Sequence, residues 1–503
     1  MGENEYTKEL IAFMQETGFV WGPSPEIYGG LAGFYTYGPL GKLLKNNVEN
    51  AIRKTFIENG LWEVECPIIA QEKIWEASGH LTSFSDPLIF CTKCNGEYRV
   101  SLLIEEAKPE LEIGGLPNDV LLKLIEEHNI VCPKCKGKLG SEITQHNLMM
   151  QTKVGTDTVA YNRPETATTT YLPFLRYSEF FRKKVPFGIF QIGKAFRNEI
   201  SPRQHMLRMR EFTQAEGQLF LYAHQKYEFE HFDSVAEERL PLWPHKNQKE
   251  KLPVEQISLR DAVEKNILKN QAYAWTLNLT YKQFLGMGIP AELIRFRQHS
   301  PEELIFYAED AWDVEVKLKS FGWTELCGVH DRKDYDLKQH SKFSGQKLEI
   351  FDGETKEKLV PHILEIAFGS DRPTYALLDI FYDPSDKERK VLRLPHILSP
   401  IKVAVFPLVN KENLPEIAEK ICQDLKEFVC IYDKAGSVGR RYSRNDMRGT
   451  AFCVTVDFDT LENKDVTVRD RDSHEQVRIK ISELKETLRK LIHGEIKFKD
   501  LKK

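Results

Sequence analysis

Between residues 40 and 58 the apolar side chains Leu44, Val48, Ile52 and Phe56 return at every fourth position, with Leu43 beside them. That spacing predicts an amphipathic helix, closed by Gly60 as a C-terminal cap. The run Leu61–Ile69 that follows reads as a strand, and Pro67 confines it to a sheet edge or a subunit boundary. Residues 91–140 change character, with paired cysteines enclosing a charged helical stretch at 119–127. A strand-rich block covers 141–222, and the polar, helix-rich residues 223–320 read as an insertion. Apolar strands resume at 347–351 and 361–368, and a helix is expected from about Pro373. Beyond Pro395 and Pro400 the pattern alternates: a strand at 402–406, a helix at 412–428, a strand at 452–456 and a closing helix at 482–492. This predicts a separate C-terminal α/β domain over 399–503.

A chain of 503 residues exceeds one ordinary core, so roughly three or four domains are expected. Hydrophobic residues make up 41%, near the globular norm, and no apolar run approaches the ~20 residues of a membrane span. The first residues lack a basic and apolar leader pattern, which predicts a cytoplasmic protein. A net charge of −5 does not by itself suggest a nucleic-acid ligand, although local basic surface would suffice for one.

Cys91, Cys94, Cys132 and Cys135 form two C-x-x-C pairs. Their spacing within each pair is ribbon-like and predicts a structural Zn²⁺; the alternative is two turns with free thiols. Cys66, Cys327, Cys422, Cys430 and Cys453 lie among apolar neighbours and read as small buried hydrophobes. In Phe196-Arg197-Asn198-Glu199 the Arg and Glu stand two apart, so on a strand both face one side. An Arg there can grip a phosphate and a Glu can accept from an exocyclic amine. Phe212, on the returning stretch 209–216, could stack on a purine; the plain alternative is a hairpin with an ion pair. Gly369-Ser370-Asp371-Arg372 joins an apolar strand to an apolar helix and could bring an Arg to a ligand lying across the sheet.

In this order the three elements resemble the motifs of class II aminoacyl-tRNA synthetases. The resemblance extends to glycyl-tRNA synthetases of the homodimeric, archaeal/eukaryal-like kind. It is carried by Tyr28–Phe34, Trp75–His80, Arg163–Ala167, Gln191–Arg203, Arg297–His299, Asp334–Leu337 and Val466–Asp472, which span nearly the whole chain. It implies an α+β catalytic domain with an antiparallel sheet. Motif 1 would lie in 1–90, a zinc-ribbon-like insertion in 91–140, motif 2 in 141–222, a helical insertion in 223–320 and motif 3 in 321–398. The domain over 399–503 would then bind the anticodon.

The resemblance further implies a homodimer that activates glycine with ATP and Mg²⁺ and transfers it to tRNA(Gly). ATP would be held by Arg197, Asn198 and Glu199; by Leu207, Arg208, Met209, Arg210, Glu211 and Phe212; by Glu325 and Leu326; and by Gly369, Ser370, Asp371 and Arg372. Arg197 would take the α-phosphate, Glu199 the adenine amine, and Arg208 or Arg210 the outer phosphates. Arg372 would stack the ring against Phe212. With Arg197, Glu199 and Arg372 as the catalytic set, Glu325 and Glu365 are the carboxylates suited to Mg²⁺ or ribose. Glycine would be met by Arg99, Glu165, Phe212, Thr213, Gln214, Ala215 and Glu216, and by Glu365, Ile366, Ala367, Phe368 and Gly369. Arg440, Arg441, Arg444 and Arg448, near Lys434, would contact tRNA; a solvated basic face is the other reading.

The chain departs from the family pattern at named positions. Thr168-Thr169 replace Gln-Gly, Ala367 replaces a Ser, and Gln218 replaces an acidic residue. Asp446–Ala451 also reads differently from its usual motif. A second reading is therefore a synthetase-derived protein that binds ATP or tRNA without efficient aminoacylation. Retention of Arg197, Glu199, Phe212 and Arg372 favours the enzyme.

Overall fold

A computed structural model describes residues 3–108, 111, 113, 116–200, 202, 204–304, 308–385 and 390–501. Ser201 and Arg203, within one of the family-like stretches, lie outside the described residues.

The centre is one nine-stranded sheet. Its strands are β1 (Leu61–Glu63), β2 (Phe187–Phe196), β3 (Glu211–Leu221), β4 (Arg239–Trp243), β5 (Glu255–Ser258), β6 (Ile294–Gln298), β7 (Asp310–Leu318), β8 (Gly322–Asp331) and β9 (His362–Gly369). Across the sheet the order is β5-β4-β6-β7-β8-β9-β3-β2-β1. Every pairing is antiparallel except β1 with β2 and β4 with β6. The strand expected over 61–69 is interrupted: β1 stops at Glu63, and Ile69–Gln71 pairs in another small sheet. Pro67 has no N–H for the ladder, so the chain leaves the edge there.

Residues 223–320 are not a helical insertion. They supply β4, β5, β6 and β7 to the central sheet. In β7, Trp312, Val314, Val316 and Leu318 alternate into the core, and Asp313 and Glu315 lie on the opposite face. That two-residue period identifies a strand with one apolar and one charged face, both largely buried. The many charged residues around it conceal the alternation.

The apolar face is covered by helices α1 (Glu3–Thr17), α2 (Pro39–Glu58), α3 (Gln271–Gly286) and α4 (Asp371–Phe381). Pro39 in the first turn and Gly60 at φ 82° bound α2, and Leu40, Leu44, Val48, Ile52 and Phe56 form its buried stripe. Gly41 is required there, since a Cβ would sit 1.8 Å from the Phe19 carbonyl oxygen.

The cysteine-bearing region has its own small core of Ile89, Tyr98, Ile104, Leu121 and Ile125, between a three-stranded sheet and helices Val100–Ala107 and Asn118–Glu127. The C-terminal domain is a five-stranded sheet of β10 (Val403–Pro407), β11 (Cys430–Tyr432), β12 (Phe452–Val456), β13 (Asp465–Asp470) and β14 (Gln476–Lys480), ordered β11-β10-β12-β13-β14. Helices α5 (Leu414–Asp424), α6 (Val438–Met447) and α7 (Ile481–Ile492) complete it. No described helix is long and apolar enough to cross a membrane.

Candidate active site

The polar face of the central sheet floors a cleft of about 540 Å³. Along β3 the alternate residues Phe212, Gln214 and Glu216 point into it, and the β9 residue facing Glu216 across the ladder is Ala367. The loop bearing Glu165 is held down by Arg163, which is buried and donates to the Lys194 and Cys66 carbonyls and to Gln191 Oε1. Gly193 makes room for this: a Cβ there would lie 2.2 Å from Arg163 Nη2.

Arg197 and Glu199 lie just beyond the end of β2 rather than on it, yet both face the cleft. Arg197 N–H donates to the Arg210 carbonyl and so prolongs the ladder by one step. Its Nε donates to the Pro164 carbonyl at 3.1 Å, and its guanidinium lies 5.3 Å from the Phe84 ring centre and 5.4 Å from that of Phe212. Arg372 stands across the cleft, 2.9 Å from Glu325 Oε1 and 3.3 Å from the Leu207 carbonyl. Its neighbour Asp371 accepts from Lys45 Nζ, from the Thr213 N–H and from the Tyr37 hydroxyl, which fixes the start of α4.

Three carboxylates crowd the deep end. Glu165 Oε1 accepts from Thr168 Oγ1 at 2.7 Å, and its Oε2 lies 3.5 Å from His80 Nε2. Burial alone would raise Glu165, but His80, Arg332 and the Thr168 hydroxyl hold it well below the usual carboxylate range. Glu365 is likewise buried yet lowered, by Arg332 and His330. Glu216 accepts from Thr166 and Gln214 but, among the described residues, forms no ion pair. Burial, then the charges of Glu365 and Glu165, push it up to about 8.

Most of the residues expected at the site come together. Arg197, Glu199, Leu207, Arg208, Met209, Phe212, Thr213, Gln214, Glu216, Glu165, Glu325, Leu326, Glu365, Ala367, Phe368, Gly369, Asp371 and Arg372 all line the cleft. Others do not. Ala215 and Ile366 point into the core, as strand alternation requires. Ser370 donates to Glu49, and Asn198 holds backbone to Leu148 and His146. Arg210 donates to the Ala32 and Glu199 carbonyls, which leaves Arg208 as the one of the two that faces the cleft. Glu211 pairs with Lys194 in a separate recess, and Arg99 pairs with Asp86. Gln218 is fully buried outside the wall.

Glu365 does not suit Mg²⁺ or ribose. Its oxygens already accept from Tyr171, His330 and Arg332. Glu325 is half exposed and fits such a role better. The cleft also contains His80, Phe84, Arg297, His299, Asp313, His330 and Arg332, none of which was expected at the site. His80, Arg297 and His299 sit in family-like stretches, and that was the available signal.

The four paired cysteines converge, with Cys91 Sγ 3.5 Å from Cys135 Sγ, Cys94 Sγ 3.7 Å from Cys132 Sγ, and all four within 4.8 Å of one another. Tetrahedral Zn–S bonds of ~2.3 Å place sulfurs about 3.8 Å apart, so the set fits zinc. The Tyr98 hydroxyl contacts Cys132 Sγ at 3.1 Å as an outer partner.

In the C-terminal domain Arg441 is buried and donates to the Pro407 and Gly436 carbonyls, so it cannot reach a phosphate. Arg444 is paired with Asp433, whereas Arg440 and Lys434 are exposed and Arg448 is partly so. Asp446 is spent internally on Arg469.

Residues 402–491 match the model of the anticodon binding domain family. Over 98% of its length the chain is 40% identical to the whole of a glycine–tRNA ligase from Thermococcus gammatolerans. It is 39% identical to the Pyrococcus abyssi glycine–tRNA ligase over 98% of this chain and 100% of that one. The chain belongs to the glycine–tRNA ligase family. Another relative, from Methanococcus maripaludis, is 39% identical over 96% of this chain and 98% of its own. Among solved structures, a Giardia lamblia prolyl-tRNA synthetase in complex with prolyl-adenylate superposes with a TM-score of 0.60. The match covers 96% of this chain and 75% of that one at 14% identity, a likeness of fold. The class II sheet and the C-terminal domain expected from the motifs are thereby established.

Proposed function

We propose that the cleft is where this glycine–tRNA ligase forms glycyl-adenylate and then passes glycine to the 3′ end of tRNA(Gly), as a homodimer working in the cytoplasm. The observation that carries the reading is the division of the cleft. Arg197, Arg208 and Arg372 surround one half, and Glu165 and Glu216 close the other.

ATP lies in the cationic half. Its adenine stacks between Phe212 and Arg372, Glu199 accepts from the ring amine, and Arg197 holds the α-phosphate. Mg²⁺ fits beside Glu325 and would neutralise phosphate charge. The glycine ammonium lies against Glu165 and Glu216, with its carboxylate toward Arg197. A carboxylate oxygen attacks the α-phosphorus and pyrophosphate departs. Because the nucleophile is already ionised, no general base is needed, and the protein contributes position and charge. In the second step the terminal ribose hydroxyl of tRNA attacks the acyl carbon and AMP leaves.

The Cys91/Cys94/Cys132/Cys135 set, with Cys91 and Cys132 buried and Cys94 and Cys135 partly exposed, would hold Zn²⁺ as a fold element. Arg440, Arg448 and Lys434 are the residues of the C-terminal domain offered to tRNA phosphates, with Arg444 available only if it leaves Asp433. The dimer forms through the edge at β1, where Ile57, Trp62 and Phe180 are exposed together. Glycine-dependent ATP–pyrophosphate exchange tests the reading: activity with glycine and none with proline or alanine is expected. Exchange absent with all three would refute it.

A further inference from the structure

Cys422 and Cys430 depart from the buried, isolated thiols that their apolar surroundings suggest. Cys422 sits in the last turn of α5 and Cys430 opens β11, the edge strand of the C-terminal sheet. Both are partly exposed, and their sulfurs are 3.3 Å apart. Among the cysteines outside the four-cysteine cluster, Cys66, Cys327 and Cys453 are each buried.

We propose that Cys422 and Cys430 are an oxidation site that forms a reversible disulfide. Two features of their placement support this. First, a disulfide needs sulfurs ~2.05 Å apart, so closure requires a shift of about 1.3 Å, within the reach of side-chain rotation. Second, the segment between them is short: α5 ends at Asp424, and Val429 bonds back to Lys402 just before β11 begins. The two thiols are therefore held together in the folded domain rather than meeting by chance. A second thiol at that distance also resolves an oxidised sulfur before it can go further.

A hydroperoxide converts one thiolate to a sulfenic acid and leaves as water or alcohol. The other thiol attacks that sulfur, the S–S bond forms, and a second water leaves. A small disulfide does the same by exchange, with release of two thiols. The protein loses two electrons and two protons, and a dithiol reductant restores them.

β11 runs directly into Asp433, which pairs with Arg444 at the basic helix α6. The bond would therefore staple the strand from which this segment departs. No step at the central cleft is involved, and the inference stands apart from the glycine reading.

The experiment uses the purified full chain. It is treated with hydrogen peroxide or oxidised glutathione, alkylated, digested with trypsin and weighed. Cleavage after Lys420, Lys426 and Lys434 places the two cysteines on adjacent peptides, Ile421–Lys426 and Glu427–Lys434. Expected is a linked pair about 2 Da lighter than the sum of the two peptides, abolished by dithiothreitol and absent from Cys422→Ser and from Cys430→Ser. Separate peptides, each alkylated or each carrying glutathione, would overturn the proposal. The serine variants replace partly exposed thiols, and circular dichroism that matches the unmodified chain verifies that they fold.

Discussion

The Thr168 hydroxyl donates a 2.7 Å hydrogen bond to Glu165 Oε1, while His80 stands 3.5 Å from the other oxygen of the same carboxylate. Thr168 replaces the residue its family pattern would place there, and its hydroxyl now fixes the orientation of an acidic group at the deep end of the cleft. Thr168→Val keeps the shape and removes the donor. A hydrogen bond to a charged group is worth ~1.5–3 kcal/mol, so KM for glycine should rise by about ten- to a hundredfold with KM for ATP unchanged. Ala367→Ser, which places a hydroxyl opposite Glu216 in the ladder, should tighten glycine. If exchange kinetics move for neither variant, glycine does not bind at this end.

Arg197→Ala should lower exchange by a factor of at least about a hundred, equivalent to ~3–4 kcal/mol of lost charge stabilisation. Circular dichroism should be unaltered, since among the described residues the guanidinium's hydrogen bond is to the Pro164 carbonyl alone. A loss smaller than about tenfold would remove Arg197 from the α-phosphate.

Glu216, raised to about 8, is protonated in the free protein at neutral pH. A bound ammonium favours its ionised form, so below pH 8 glycine must expel a proton to bind. KM for glycine should therefore fall about tenfold between pH 6.5 and 8, with no matching change for ATP. Folding stability follows the sign of the same shift. The unfolded side chain ionises near its ordinary 4.5, so the contribution of Glu216 is fully present below that pH and is lost as pH rises to about 8. A flat KM profile for glycine would place the ammonium elsewhere.

Metal analysis should find about one zinc per chain, and Cys91→Ser/Cys94→Ser should abolish it. The core of Ile89, Tyr98 and Leu121 is small, so loss of the ion should unfold this region at a lower temperature than the central sheet. Protein prepared without chelator that contains no zinc would contradict the assignment.

Trp62→Glu places a charge on the exposed apolar edge beside Phe180. In sedimentation this variant should shift from a dimer toward the 58.3 kDa monomer, which the unmodified chain should not populate at micromolar concentration. A monomer in both would exclude this edge as the interface.

The helix at 39–58 was legible because its stripe is uniform, and β12 because four of its five residues are apolar. The strands β4 to β7 were not. Arg295, Arg297, Asp313 and Glu315 occupy their outer face and pair with one another there, so composition resembles a polar insertion while alternation decides the fold. The cleft was legible where residues share one strand, as Phe212 and Glu216 do. Contributions from remote segments, such as His80 and Arg332, come from folding back over a hundred residues or more, and no local period marks them. Arg441 shows the reverse error: a charge in a basic run is consumed by two carbonyls of its own domain.

Lys45 is almost fully buried on α2, and among the described residues its only charged partner within 3 Å is Asp371. That helix runs on to the exposed edge at Ile57, and Asp371 is bonded to the next residue along, Arg372. One wall of the cleft and the helix that reaches the outer edge of the molecule are thus joined through a buried ion pair. Lys45→Met, which removes the charge that holds Asp371, should change the KM for ATP in exchange kinetics if this pair positions Arg372, and an unchanged KM would show that it does not.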